Sequence, residues 1–375
     1  MSTVAYHLLT EAEPFSDFHG GAISRWAANA LRNTTSAVVV CPAADSSWKF
    51  PGDAISVLPQ LGRYRQLRRY LLRLPWTLHS LTIRNVFRSL LMRLRPGDIV
   101  WIHNRPDFAI ALTPHVHRAG GKVVLHLHNS HLAEWPMAQM QQVRVDRLVF
   151  VSEFLREEAR QRFPSLGVSS VLYNGADRDI FYPRDQRSDK AKIPIVLFAG
   201  RLVKDKGVHI LTDAMRLLEQ RGVRVHAHIV GAANFGGSGA TDYVRSIKRN
   251  APSNVTFLPY RSGAALGDLF READIFCSPS LWDEPFGLVN VEAFACALPV
   301  VSTLGGGVAE ILRDGGGILV ERGSVEQLAS ALHRLAEDGT LRGVLGQQGY
   351  SAFLKRFTWQ IATSQVQDIY RSVSL

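Results

Sequence analysis

Short apolar runs alternate with helix-patterned stretches along the whole chain, and they fall into two sets. The first set is Val4–Leu9, Ala37–Cys41, Asp98–His103, Lys122–Asn129 and Arg147–Val151. The second is Ile193–Ala199, Val225–Val230, Asn254–Pro259 and Ala273–Ser280. Runs this short read as buried strands, and their alternation with helices calls for parallel sheets covered on both faces. The expected class is therefore α/β, with two Rossmann-like, doubly wound domains facing across a cleft. A chain of 375 residues can fill two such cores. The charged, aperiodic stretch 184–192 reads as the linker. The expected domains are 1–183 and 184–357, with 358–375 a last helix.

The densest chemistry lies in Ser280–Ala293, which reads SLWDEPFGLVNVEA. Proline suits the first position of a helix, so Pro285 places Glu284 at a helix entrance and Glu292 about two turns inside. At ~1.5 Å per residue the two carboxylates stand about 12 Å apart along the axis. A pair working on one glycosidic bond needs roughly 5–9.5 Å. The wider spacing suits two groups gripping opposite ends of one long ligand. Free amides near Gly287 and Leu288 form an anion site between them. An ordinary capped helix, with Glu292 in water, would use the same residues.

A second feature is the loop Gly200–Gly207, which reads GRLVKDKG directly after an apolar strand. Gly200 permits close backbone approach, and Arg201 and Lys206 can neutralise a diphosphate. Gly20 and Gly21 open another helix after the first strand, in a phosphate- or substrate-approach arrangement that a plain tight turn also explains. His126 and His128 share one face of a strand, and His128-Asn129 falls at its C-terminal end, where open α/β sheets place ligands. A zinc site from His126, His128 and His131 lacks a fourth ligand.

Glu284-Pro285-Phe286-Gly287-Leu288 with Glu292-Ala293 closely resembles the Glu-x7-Glu motif of the retaining glycosyltransferases of family 4. Further matches are Gly200-Arg201-Leu202 with Lys206-Gly207, Asn174-Gly175-Ala176-Asp177 with Phe181-Tyr182-Pro183, and Gly315–Val320. The resemblance covers most of the chain and implies the two-Rossmann B fold of glycosyltransferases (GT-B), with the last helix crossing back onto the first domain. It implies that Glu284 touches sugar hydroxyls, the Gly287 and Leu288 amides the distal phosphate, Glu292 the ribose, and Arg201 and Lys206 the leaving diphosphate. Phe286, Gly200, Gly20 and Gly21 join the donor site, and Tyr260 and Arg261 lie near the nucleobase. His128 lines the place where donor sugar and acceptor meet; the family's following Asp is Asn129 here. The implied reaction is transfer from a nucleotide-diphosphate sugar to an acceptor hydroxyl with retention; neither donor sugar nor base is read from the sequence, and a UDP-sugar is favoured over GDP-mannose. Catalysis rests on Glu284, His128, Arg201 and Lys206. In the implied mechanism Arg201, Lys206 and the helix amides stand in for a metal ion, so neither metal nor cofactor is expected.

The formal net charge of +10 sits mainly in the first half, where 21 Lys/Arg up to Pro183 face 14 Asp/Glu. From Ala54 to Gly97 nine arginines occur without one acid. Leu67, Leu71, Leu74, Leu78 and Leu81 recur at helical spacing among them, and Pro75 divides two helices. A basic, amphipathic pair of this kind suits an anionic membrane surface through Arg65, Arg68, Arg69 and Arg73, or packs as an ordinary surface pair. No nucleic-acid module is recognisable. The N-terminus lacks the features of a signal peptide, and Cys41, Cys277 and Cys296 are scattered, which together read as cytoplasmic with peripheral contact at the inner membrane face. The acceptor expected there is a glycan or lipid-linked acceptor of bacterial envelope polysaccharide or lipopolysaccharide synthesis. A non-catalytic nucleotide-sugar sensor or scaffold and a sugar-nucleotide epimerase are the alternatives. A nicotinamide enzyme is disfavoured, since no G-x-G-x-x-G joins a strand to a helix.

Overall fold

The computed structural model describes residues 3–15, 21–32, 34, 36–44, 54–73, 75–130, 141–163, 167–184, 193–233 and 241–374. The chain divides into two compact units, Met1–Tyr173 with Trp359–Leu375, and Asn174–Thr358.

Seven parallel strands form the first unit's sheet: β1 (Ala5–Leu8), β2 (Ala37–Cys41), β3 (Ile55–Val57), β4 (Ile99–His103), β5 (Lys122–Leu127), β6 (Arg147–Phe150) and β7 (Ser169–Val171). Their order is β3-β2-β1-β4-β5-β6-β7. The chain winds outward from β1 and returns to lay β4 beside it, with Leu8 opposite Ile102. The loops after β1 and β4 must therefore diverge, which opens a crevice at the strands' C-terminal ends. Among the described residues the helices are α1 (Ala22–Ala30), α2 (Pro59–Leu71), α3 (Trp76–Val86), α4 (Arg88–Leu91), α5 (Pro106–Arg118) and α6 (Glu153–Arg162). The core joins Ile23, Trp26 and Ala27 of α1 to Trp101 and Val124 of the sheet. Ala362, Val366 and Ile369 of the last helix complete it. Each such large side chain contributes roughly 1.5–3 kcal/mol by leaving water.

The second unit repeats the plan with β8 (Ile195–Ala199), β9 (His226–Val230), β10 (Val255–Leu258), β11 (Ile275–Ser278), β12 (Val300–Thr303) and β13 (Gly317–Val320). The order β10-β9-β8-β11-β12-β13 puts its reversal between β8 and β11. The helices are α7 (Val208–Gln220), α8 (Asp242–Arg249), α9 (Ala264–Glu272), α10 (Leu288–Ala295), α11 (Val308–Leu312), α12 (Val325–Glu337) and α13 (Gly339–Arg356). Val208, Leu211, Met215 and Leu218 recur along one face of α7 and meet Leu328, Leu332 and Leu335 of α12 in the core. The final helix, α14 (Trp359–Ser374), belongs to the first unit.

The division at 173/174 precedes the boundary expected at 183/184. The segment between packs on the second unit: the Phe181 ring lies 5.2 Å from Phe270, and Arg184 pairs with Asp274 at 2.8 Å. Aromatic burial outweighs the composition change that suggested the later boundary. The linker expected at 184–192 lies almost entirely outside the described residues. All three cysteines are buried free thiols.

Candidate active site

The reversal point of the second sheet carries the clearest constellation. Leaving β8, the chain makes a single 3-10 turn at Lys204–Lys206 and reaches Gly207 at φ 68°. A Cβ at Gly207 would strike the Pro279 carbonyl oxygen, so only glycine lets this loop close on the one leaving β11. The Leu281 amide, donating to the Asp205 carbonyl at 2.7 Å, ties the two loops together. Lys206 is thereby aimed at Glu284: its Nζ donates to Oε1 at 2.5 Å. Ser280 Oγ donates to the same oxygen at 2.6 Å, and the Trp282 ring centroid lies 5.4 Å from Nζ. Glu284 is only 9% exposed, and the pair's desolvation is offset by this convergence of donors.

The helix that follows begins later than Pro285 suggests. Gly287, at φ 92°, is the N-cap, and α10 starts at Leu288 without a side-chain cap. Glu284 stands four residues before the helix in an irregular loop, and Glu292 is the fifth helical residue. The expected continuous helix between the two carboxylates, with its axial spacing of about 12 Å, is therefore absent. The cause is Gly287's left-handed backbone, together with the amide of Gly307, which donates to the Glu284 carbonyl at 2.8 Å and ties down the loop. The Phe286 side chain is buried against Phe357, so only its backbone can meet a ligand. Glu292 is 7% exposed. Arg201, Tyr260 and Arg261 are exposed at the ends of β8 and β10. Gly200 has room for a Cβ, whose nearest neighbour would be Phe198 at 3.5 Å; the tight approach belongs to Gly231, where a Cβ would strike the Gly200 carbonyl. Two supports escaped the sequence reading. Arg322 pairs with Asp283 at 2.5 Å, and Asn290 accepts from Ser278 at 2.7 Å beneath the helix start.

The first unit's strand ends are built differently. His7 Nδ1 lies 3.1 Å from His103 Nε2, and His103 Nδ1 lies 2.9 Å from His128 Nε2. His7 Nε2 meets the Tyr370 hydroxyl of α14 at 2.5 Å. These bonds form one chain from the last helix to His128, and its tautomers must agree in direction along the whole length. Burial holds His7 and His128 down at about 3, and His103 and His126 well below the ordinary imidazole value. The four rings are therefore neutral. Asn104, at φ 53°, accepts from the His128 backbone amide at 2.6 Å and fixes the strand end. Both ring nitrogens of His126 are buried without a hydrogen-bond partner among the described residues.

Nitrogens of His103, His126 and His128 lie within 4.8 Å of one another, within reach of a single metal ion. His103 and His128 already hydrogen bond to each other, which competes with such an ion. The trio considered from sequence differs, because His103 replaces His131, which lies outside the described residues.

Gly21 precedes α1, but the amides of Ile23 and Ser24 both donate to Glu13 Oε2 at 3.1 Å. This helix start therefore carries its own carboxylate, which a Cβ on Gly21 would crowd. Burial raises the Glu13 pKa against the pull of those two amides. Gly20 lies outside the described residues.

The basic helices also depart from expectation. α2 buries Leu61 and Tyr64, whereas Leu67, Leu78 and Leu81 stay about half exposed; Leu74 is not described. Tyr64 bonds to His79 at 2.7 Å and accepts from buried Arg105, which is itself paired with Glu11 and Asp107. Arg68 reaches Glu11 at 3.6 Å, so this arginine anchors α2 to the fold. Arg65, Arg69 and Arg73 are exposed, and Arg69 lies over the Tyr70 ring. No described helix is long and apolar enough to cross a membrane.

The model of glycosyl transferases group 1 matches residues 183–352, and that of Glycosyltransferase Family 4 matches residues 21–180. Putative glycosyltransferase YtcC of Bacillus subtilis is 28% identical over 304 residues, spanning 75% of this chain and 74% of that protein. D-inositol 3-phosphate glycosyltransferase of Mycobacterium tuberculosis is 30% identical over 293 residues, 73% of this chain and 59% of that one. Among solved structures, sucrose-phosphate synthase from Thermosynechococcus elongatus superposes with a TM-score of 0.76 at 19% identity, covering 99% of both chains. Anabaena Alr3699/HepE with UDP and glucose gives 0.75 at 21%, over 99% of this chain and all of that one. Two family models meeting near the unit boundary, on two parallel-sheet α/β units of the GT-B kind, place this chain among the group 1, family 4 glycosyltransferases.

Proposed function

We propose that the chain transfers a sugar from a UDP-sugar to an acceptor hydroxyl, with retention at the anomeric carbon. The observation that carries this reading is the Lys206–Glu284–Ser280 group at the second sheet's reversal point. Glu284 Oε1 is held by Lys206 and Ser280, which leaves Oε2 for a sugar hydroxyl. Lys206 and Arg201 neutralise charge on the leaving diphosphate, aided by the uncapped start of α10. These cations can serve where other transferases use a metal ion. His128, neutral and fixed by its imidazole chain, hydrogen bonds to the donor sugar, and the departing phosphate takes the acceptor's proton. The preference for UDP is supported by Alr3699/HepE, whose structures hold UDP, UDP with glucose, and UDP-glucose. Glu292, Tyr260 and Arg261 are assigned to the nucleoside, and Gly200, Gly21 and the Gly287 and Leu288 amides to the phosphates.

The acceptor is a glycan or lipid-linked acceptor of envelope polysaccharide or lipopolysaccharide assembly, reached at the cytoplasmic membrane face. The exposed Leu67, Tyr70 and Leu72 among Arg65, Arg69 and Arg73 support that placement.

The test is release of nucleoside diphosphate from UDP-glucose, UDP-N-acetylglucosamine, UDP-galactose and GDP-mannose, with EDTA present. Slow release from one UDP-sugar, lost in Glu284→Ala, is expected. Release from GDP-mannose alone, or release abolished by EDTA, contradicts the donor or the metal-free reading respectively. Tight donor binding that no membrane extract converts to turnover favours a sensor.

A further inference from the structure

The first unit carries a second basic feature, separate from the arginines of α2. A groove of ≈440 Å³ runs between α3, α4 and the C-terminal end of α5. Arg84, Arg88, Arg118 and His115 line it together with Leu81 and Met92, and no carboxylate does.

Its electrostatics are unbalanced. Arg84 Nη1 lies 3.2 Å from His115 Nε2, and Arg118 Nη1 lies 3.4 Å from His115 Nδ1. A neutral imidazole has one acceptor nitrogen, so one of these guanidinium donors faces a ring N–H and lacks an acceptor. Burial and then the two arginines lower the His115 pKa, with no acid opposing them. The nearby acid Asp146 is already engaged by His117 at 2.8 Å, Lys122 at 3.5 Å and the Val123 amide. Converging guanidiniums without a counter-charge make an anion site, and a phosphate's several oxygens can accept from more than one of them.

The rim names the kind of anion. Leu81 is 48% exposed and Met92 76%, so apolar surface borders the cationic floor. Leu78, 47% exposed, lies one turn before Leu81 on α3. A soluble phosphate would use the arginines and leave that apolar rim in water. An amphiphile would use both.

We propose that the Arg84–His115–Arg118 groove seats the phosphate headgroup of a membrane lipid, with Leu81 and Met92 entering the acyl boundary. This gives the protein a docking point on α3 to α5 that does not depend on the sugar-transfer chemistry. It adds to the contact proposed for α2, where Arg68 is already committed to Glu11.

Sedimentation with phosphatidylcholine vesicles, with and without phosphatidic acid and without any donor, tests this. The wild type is expected to bind only the phosphatidic acid vesicles. Arg84→Gln/Arg118→Gln is expected to bind about 30-fold more weakly, at roughly fivefold per basic residue. The charge-matched control Arg245→Gln/Arg249→Gln, on α8 of the second unit, should bind as the wild type does. Leu81→Ser/Met92→Ser, which keeps every charge, should also lose binding. Melting curves confirm that each variant folds, and donor hydrolysis in detergent-free solution should be unchanged in all three. Several results would overturn the proposal: no binding by the wild type, equal losses in the groove and control variants, or full binding by Leu81→Ser/Met92→Ser. So would loss confined to a variant lacking Arg65, Arg68, Arg69 and Arg73. Displacement of bound vesicles by millimolar inorganic phosphate but not by chloride at the same ionic strength, with Leu81→Ser/Met92→Ser binding as the wild type does, would assign the site to a soluble anion instead.

Discussion

The two units place polar groups at the same topological position and fill it in opposite ways. In the second, a lysine, a hydroxyl and a carboxylate converge within hydrogen-bond distance at the ends of β8 and β11. In the first, the ends of β1, β4 and β5 hold neutral imidazoles in a buried chain, while Glu13 occupies the helix start. On the proposed reaction, the charged group would meet the anionic leaving group, and the neutral imidazoles would only orient uncharged groups; similar folds can carry different chemistry through a few strand-end residues.

The contrast breaks most visibly in acid. A folded state that keeps its imidazoles neutral binds fewer protons than the unfolded chain once pH falls below the ordinary value of 6.5. His7 and His128 each remove roughly 1 kcal/mol of stability per pH unit between there and their folded value of about 3. His103 and His126, also held well below the ordinary value, steepen this loss. Hydrogen exchange followed from pH 7 toward pH 4 should show β1, β4 and β5 losing protection before β8 and β11. Equal loss in both units would mean that the histidines are not buried neutral.

In the second unit the largest effect belongs to Glu284. Glu284→Ala removes the acceptor of Lys206 and Ser280, and turnover should drop by roughly 10²–10³, as when a single oxyanion donor is lost. Gly207→Ala attacks the same group indirectly. It needs the left-handed backbone of Gly207 and sets a methyl against Pro279, so a destabilisation of at least ~1–2 kcal/mol is expected with reduced turnover. Thermal melting and steady-state kinetics on one preparation read both effects.

Much of this was legible in the sequence, because period and spacing are local signals. The alternating runs marked the strands, and Glu284, Arg201 and Lys206 stood out by their neighbours. What was hidden depended on backbone sign and on distant partners. Pro285 resembles a helix start, but Gly287's positive φ sets it, and composition does not reveal that sign. Glu13 caps α1 from ten residues away, and His7, His103 and His128 meet only because β1, β4 and β5 lie side by side. Arg68 looked like its neighbours, yet buried Glu11 claims it.

The smallest expected effect sharpens the distinction between fold and ligand. Gly200→Ala adds a methyl that meets Phe198 at an ordinary 3.5 Å, so stability should change by under ~0.5 kcal/mol. If a diphosphate lies against that backbone, donor KM should still rise severalfold. An unchanged KM would move the donor away from the β8 loop.

The central claim is that Lys206, held by Glu284, grips the donor's diphosphate within the second unit. Calorimetric titration of UDP-glucose into the wild type, Lys206→Met and His103→Gln tests it most directly. The expected result is binding weakened at least tenfold by Lys206→Met and clearly less by His103→Gln, which disturbs only the orientation of His128. Equal affinity for the wild type and Lys206→Met would contradict the claim.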